Sequence, residues 1–267
     1  SGTTSINATI AAVGGTLNAK KLDINAGIGN DALGVLMGQF TYPYNNAGNT
    51  TTYSVRDIAG IPDKMFGLPD NNSNSTTHMM LYLPMVAADG NIWLNNNLGA
   101  HYANINHASF NPAQQATGAT DHLAYGSLFQ WGRKPDGHEL ITYTNGTTGT
   151  SPNGTTATRP NADTAANALF ITINSGNYDW RGTTQNDALW ATEASANNPC
   201  PVGFRVPTNA ELTTLVTSSS ITYSATAASS AMKFTVPGYR YNSDGSLQYV
   251  GSDGRYWSSS VTGAYSS

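Results

Sequence analysis

The residues best suited to chemistry stand together in Gln130-Trp131-Gly132-Arg133-Lys134-Pro135-Asp136-Gly137-His138. An indole beside a guanidinium, a carboxylate and an imidazole is a mixture that recognition surfaces favour. Trp131 would stack on a sugar or a peptide, and Arg133, Asp136 and His138 would supply hydrogen bonds. The same four residues have a second reading, in which Trp131 belongs to the core and Arg133 pairs with a buried carboxylate to fix a loop. The sequence leaves both open.

Catalysis finds less support. The chain has five histidines and 16 carboxylates, scattered among turn residues. It contains no nucleophile elbow, no HExxH, no phosphate-binding glycine loop and no paired-cysteine metal motif, so the expectation is a protein that is not an enzyme. His101 with His107, or Asp121 with His122, could ligate an ion, but the carboxylate clustering that calcium needs is poor, and neither metal nor cofactor is expected. Cys200 is the only cysteine. It lacks an activating neighbour, which favours a structural, buried thiol.

These residues must be positioned by a chain of unusual polarity. Only 10% of its 267 residues are charged, where about a quarter is typical, and the polar character comes from Asn, Thr, Ser and Gly. That suits an exported, β-rich, loop-heavy protein. A net charge of -4 gives no reason to bind nucleic acid, and no apolar run reaches the roughly 20 residues of a membrane span. Residues 1–34 read as a Gly/Asn/Ser-rich spacer or strand-donating segment, and residues 35–82 as a small β-rich region. In the latter, Val35–Tyr42 and Thr51–Val55 would form a hairpin around Asn45–Asn49.

The main domain is placed at residues 83–267. Met79–Val86, Asn91–Leu94, Leu169–Ile173, Phe204–Val206, Met232–Val236 and Leu247–Val250 are expected as strands, and Leu123–Trp131 as core helix or strand. Thr142–Asn167 is too polar to repay its ordering entropy and is expected as an exposed insertion. The sharpest local signal is Asn198-Pro199-Cys200-Pro201-Val202-Gly203-Phe204-Arg205-Val206-Pro207-Thr208-Asn209-Ala210-Glu211-Leu212. Gly203 permits a turn, Pro207 stops the strand, and Thr208 with Glu211 forms a capping box that starts an amphipathic helix.

That string resembles the signature of the FISUMP family, the Fibrobacter succinogenes major paralogous domain of bacterial surface proteins. Its Arg-hydrophobic-Pro-Thr-x-x-Glu core is also similar to sulfatase-modifying-factor domains. Three more pieces resemble the FISUMP pattern in order: Gly90–Leu94 with Asn97–Gly99, Ala124–Arg133 with Asp136–His138, and Gly251–Ser260. The resemblance implies an α+β, C-type-lectin-like fold of irregular, loop-rich antiparallel sheets with few short helices. It makes Cys200, Gly203, Arg205, Pro207, Thr208, Glu211, Tyr256 and Trp257 structural signature residues, with Tyr256-Trp257 beginning a core strand. The family pattern runs on into a last strand with a second cysteine, so the domain is expected to lack that strand.

The resemblance further implies a place outside the cell or on a bacterial surface, after removal of an export signal, of the kind found in Bacteroidota. The expected role is a non-enzymatic binding or interaction module that recognises a glycan or another surface protein. Alternatives are a structural accessory subunit that packs on a larger secreted or adhesin protein, and an enzyme related to the sulfatase-modifying-factor domains. Asp163-Thr164-Ala165 resembles a short O-glycosylation acceptor, which marks Thr164 as a candidate glycosylation site.

Overall fold

The computed structural model describes residues 35–43, 50–57, 60–174, 176, 178–182, 185–262 and 265–266. The spacer at 1–34 and the turn Asn45–Asn49 lie outside the described residues. The fold is built from short strand pairs, few helices and a great deal of loop, compatible with the α+β class. The expected hairpin is present as β1 (Val35–Pro43) and β2 (Thr50–Asp57), antiparallel with a bulge between Leu36 and Gly38.

All other strands are two to four residues long. β3 (Ile61–Pro62) pairs with β4 (Leu81–Tyr82), and β5 (Pro84–Val86) with β6 (Ile92–Leu94). β7 (Thr142–Asn145) pairs with β8 (Thr148–Thr150), and β9 (Thr155–Thr156) runs parallel to β10 (Phe170–Ile171). Helices α1 (Asn209–Ser218) and α2 (Ser224–Ser229) follow. Last come the antiparallel pairs β11 (Tyr239–Arg240) with β12 (Leu247–Gln248) and β13 (Val261–Thr262) with β14 (Tyr265–Ser266).

Several expected strands are corrected. Met79–Val86 is split into β4 and β5 at Leu83. Phe204–Val206 and Met232–Val236 pair with no strand, the second being broken at Lys233 by a φ of +52°, and Tyr256-Trp257 is likewise no strand. Thr142–Asn167, expected as a bare insertion, carries β7, β8 and β9 and buries Tyr143 and Ala165. Tyr143 is anchored from within, since its hydroxyl donates to the Pro237 carbonyl at 3.1 Å.

Leu123–Trp131 is neither core helix nor strand beyond a single 3-10 turn at His122–Ala124. The reason is that side chains take the place of a neighbouring strand. Along residues 129–133 the alternate carbonyls of Phe129, Trp131 and Arg133 accept the indole N–H groups of Trp257, Trp180 and Trp190, at 2.9, 2.9 and 3.2 Å. The Gln130 amide donates to His138 Nε2 at 2.9 Å. The Gln130 side chain in turn serves Ile171 as a strand would: its Oε1 accepts from the Ile171 amide and its Nε2 donates to the Ile171 carbonyl, each at 2.9 Å. Buried main-chain groups must be paired, but no rule requires the partner to be main chain.

Two of these indoles, those of Trp180 and Trp190, also belong to the core. Trp131, Trp180 and Trp190 pack with Ile171, Ile173, Leu189, Cys200 and Val206, and Leu98, Phe129 and Phe204 close over them. Leu98 also joins a smaller cluster of Met80, Tyr82 and Ala103. Among the described residues no helix is long and apolar enough to cross a membrane.

Candidate functional site

The structure brings Trp131, Arg133, Asp136 and His138 together, but it turns them toward one another. Their exposures are 8%, 1%, 1% and 0%, so the open recognition surface expected of this set is corrected to a buried cluster. Arg133 Nη2 lies 2.9 and 3.0 Å from the two Asp136 oxygens, while Nη1 donates to Gln130 Oε1 at 2.7 Å and to the Leu169 carbonyl at 2.9 Å. The Asp136 carboxylate also accepts from His138 Nδ1 at 2.7 Å. Because the Gln130 amide donates to His138 Nε2, the imidazole proton of that tautomer sits on Nδ1.

Sequence reasoning missed the rest of this cluster. Glu139, 0% exposed, accepts from the Asp136 and Gly137 amides through Oε2, and its Oε1 lies 3.2 Å from Nε2 of buried His78. That approach is close enough for charge attraction but is not aligned for a hydrogen bond, and neither atom has another partner. On its other side His78 Nδ1 lies 3.5 Å from Asp63 Oδ1, and Asp63 Oδ2 accepts from the Tyr82 hydroxyl at 3.2 Å. Burial alone would lower the His78 pKa; the flanking Asp63 and Glu139 carboxylates outweigh it and raise the value to about 10. For Glu139 burial favours the neutral acid, but His138 and His78 overcome it and hold the carboxyl below its usual range.

As a metal centre the donor set fits poorly. Ligand-type atoms of Asp136, His138 and Glu139 fall within 4.8 Å of one another. Yet Asp136 Oδ1 is taken by Arg133 and His138, Glu139 Oε2 by two amides, and His138 Nε2 by the Gln130 amide. These donors satisfy protein protons, so the residues suit a structural clasp better than an ion.

The clasp supports a cleft beside it. A cavity of about 870 Å³ is lined by segments 92–98, 127–131, 199–207, 232–242 and 255–257, joined by Phe170, Ile173, Tyr178 and Trp180. Its size and its apolar, aromatic lining match a ligand pocket. Trp131, Cys200, Arg205, Pro207, Tyr256 and Trp257 all line it, whereas Arg133, Asp136 and His138 do not. Trp257, expected as core, is 41% exposed with its indole nitrogen pinned to Phe129, and Tyr241 is 45% exposed.

The other signature residues hold the rim. Gly203 has φ of +87°, a turn conformation that costs glycine little. The Thr208–Glu211 capping box is present at the start of α1, and Arg205 clamps Glu211 at 2.6 and 2.9 Å, which pulls the Glu211 pKa down to about 2. Cys200 is free and buried, and burial pushes its thiol up to about 12, an inert group at neutral pH. Asp121 and His122 serve a turn, the Asp121 side chain capping the Leu123 amide at 3.2 Å. The His101 and His107 rings stack 4.2 Å apart. Thr164 is exposed. No family model, curated protein or solved structure matches this chain.

Proposed function

We propose that the chain is a non-enzymatic binding module of a bacterial cell-surface protein, one that takes a glycan or a segment of another surface protein into the aromatic cleft. The observation that carries this reading is the coincidence of two sets of residues. Signature residues of the FISUMP-like motifs, among them Arg205, Pro207, Tyr256 and Trp257, are also residues that line the cavity. Three of the aromatic rings there, Tyr178, Tyr241 and Trp257, are open to solvent, which a pure packing role would not need. A C-type-lectin-like arrangement and an extracellular location belong to the same proposal and rest on the motif resemblance.

The buried cluster argues for a scaffold role at Arg133, Asp136 and His138, because groups so fully paired have no capacity left for a substrate. The test is a glycan array run together with capture from cell-surface fractions, comparing the intact protein with Trp257→Ala. Saturable binding that the variant loses supports the cleft. Equal binding by both proteins moves the site elsewhere and defeats the proposal.

A further inference from the structure

The cleft is one-sided in charge. Among the described residues Arg205, Arg240 and Arg255 line it and no Asp or Glu does, although the protein as a whole carries a net charge of -4. Walls bearing a single sign concentrate field lines and favour a counter-charged occupant. Two of the three cations are already matched: Arg205 by Glu211, and Arg255 by Asp253 at 3.0 Å. Arg240 is different. Among the described residues no carboxylate lies within ion-pair distance of it.

The Arg240 guanidinium is nevertheless held firmly. It lies over the Phe170 ring at 4.1 Å, its Nε donates to the Gly245 carbonyl at 3.0 Å, and its Nη1 donates to the His138 carbonyl at 2.7 Å. Nη2 has no acceptor among the described residues. A partly buried guanidinium fixed by neutral carbonyls and an aromatic face keeps its charge and one whole nitrogen for something else. Burial, with Arg133 nearby, lowers its pKa to about 10, which leaves it cationic at neutral pH.

From this geometry we infer that the cleft takes a carboxylate-bearing sugar, with the pyranose ring on the exposed faces of Trp257 and Tyr241 and the carboxylate on Arg240. The inference rests on the binding-module reading and narrows its ligand to an acidic glycan. Aromatic rings that are amphipathic and pre-set suit the apolar face of a sugar, and a charge-assisted bond to a guanidinium is worth more than a neutral one. Trp257 is pre-set by its bond to the Phe129 carbonyl.

The experiment titrates the protein with oligogalacturonate, its methyl ester, sialyl-lactose and lactose by calorimetry. The expected result is that at least one acidic sugar binds about tenfold or more tightly than its uncharged counterpart. The two acidic arms separate a uronic from a sialic source. Arg240→Gln should abolish the difference between acid and ester, and Trp257→Ala should weaken both. The comparison of acid with ester needs no altered protein, so it decides the matter even where a variant fails to fold. Acid and ester binding equally would overturn the inference while sparing the binding module. Lack of binding by all four sugars also overturns it, and if cell-surface proteins are then not captured either, the module reading falls too.

Discussion

At the scale of single residues, His78 is the group on which the buried cluster turns. With its proton it stands as a cation between Asp63 and Glu139; without it two buried carboxylates face a neutral ring. Its folded pKa, about 10, is above the ordinary 6.5. The stabilisation it gives is therefore complete below pH about 6.5 and is lost as the pH rises toward 10. Urea unfolding at pH about 6, 8 and 9.5 should show the midpoint falling with pH, and His78→Gln should flatten that slope; a slope unchanged by the substitution would contradict the assignment. Removing the opposite partner with Glu139→Gln should cost roughly 3–5 kcal/mol in the same assay, since it strands buried charge. The sequence allowed Arg133 to be paired with a buried carboxylate, and Asp136 is that partner three residues away. It held no sign of His78 and Glu139, because a contact between residues so far apart along the chain leaves no local spacing to read.

At the scale of elements, the helix after Pro207 was legible because its signal is local: a threonine, a glutamate three positions on, and apolar residues on one face. Thr208→Ala should cost about 1 kcal/mol in urea unfolding by removing the acceptor for the Glu211 amide, and a change within error would deny the cap its role. The hairpin of β1 and β2 was legible for a similar reason, two strand-like runs on either side of the turn residues Asn45–Asn49. Helix α2 was not, since it buries no residue and has no apolar face; its one signal is Thr226, whose Oγ1 accepts from the Tyr223 amide. The expected strand at Phe204–Val206 and the expected core helix or strand at Leu123–Trp131 failed for one shared reason. Burial around Phe204, Arg205 and Val206 does alternate, as a strand's would. But alternation reports which side chains are inside, not what pairs the backbone, and around Phe129–Arg133 the partners are indoles and an imidazole.

At the scale of the molecule, the bonds that close the structure join distant stretches of chain. Trp131 reaches the Ser258 carbonyl at 2.8 Å, Asn97 reaches Thr235 at 3.2 Å, and Arg240 reaches His138 at 2.7 Å. Few local contacts can form before these, so folding should be slow: refolding followed by stopped-flow tryptophan fluorescence should take seconds or longer. A single complete phase within milliseconds would refute this. The same long reach explains why the cleft was invisible in the sequence. Its walls come from five main segments scattered between residues 92 and 257, and none of them, the signature segment 199–207 included, carries a sign of which others it faces. Those walls also have an optical consequence. Trp131, Trp180 and Trp190 are sealed and Trp93 is half-buried, whereas Trp257 is the indole most open to solvent. Dissolved quenchers should reach that ring before the sealed three, and an arriving guest would announce itself through a blue shift of its emission, an indicator the protein carries without any dye.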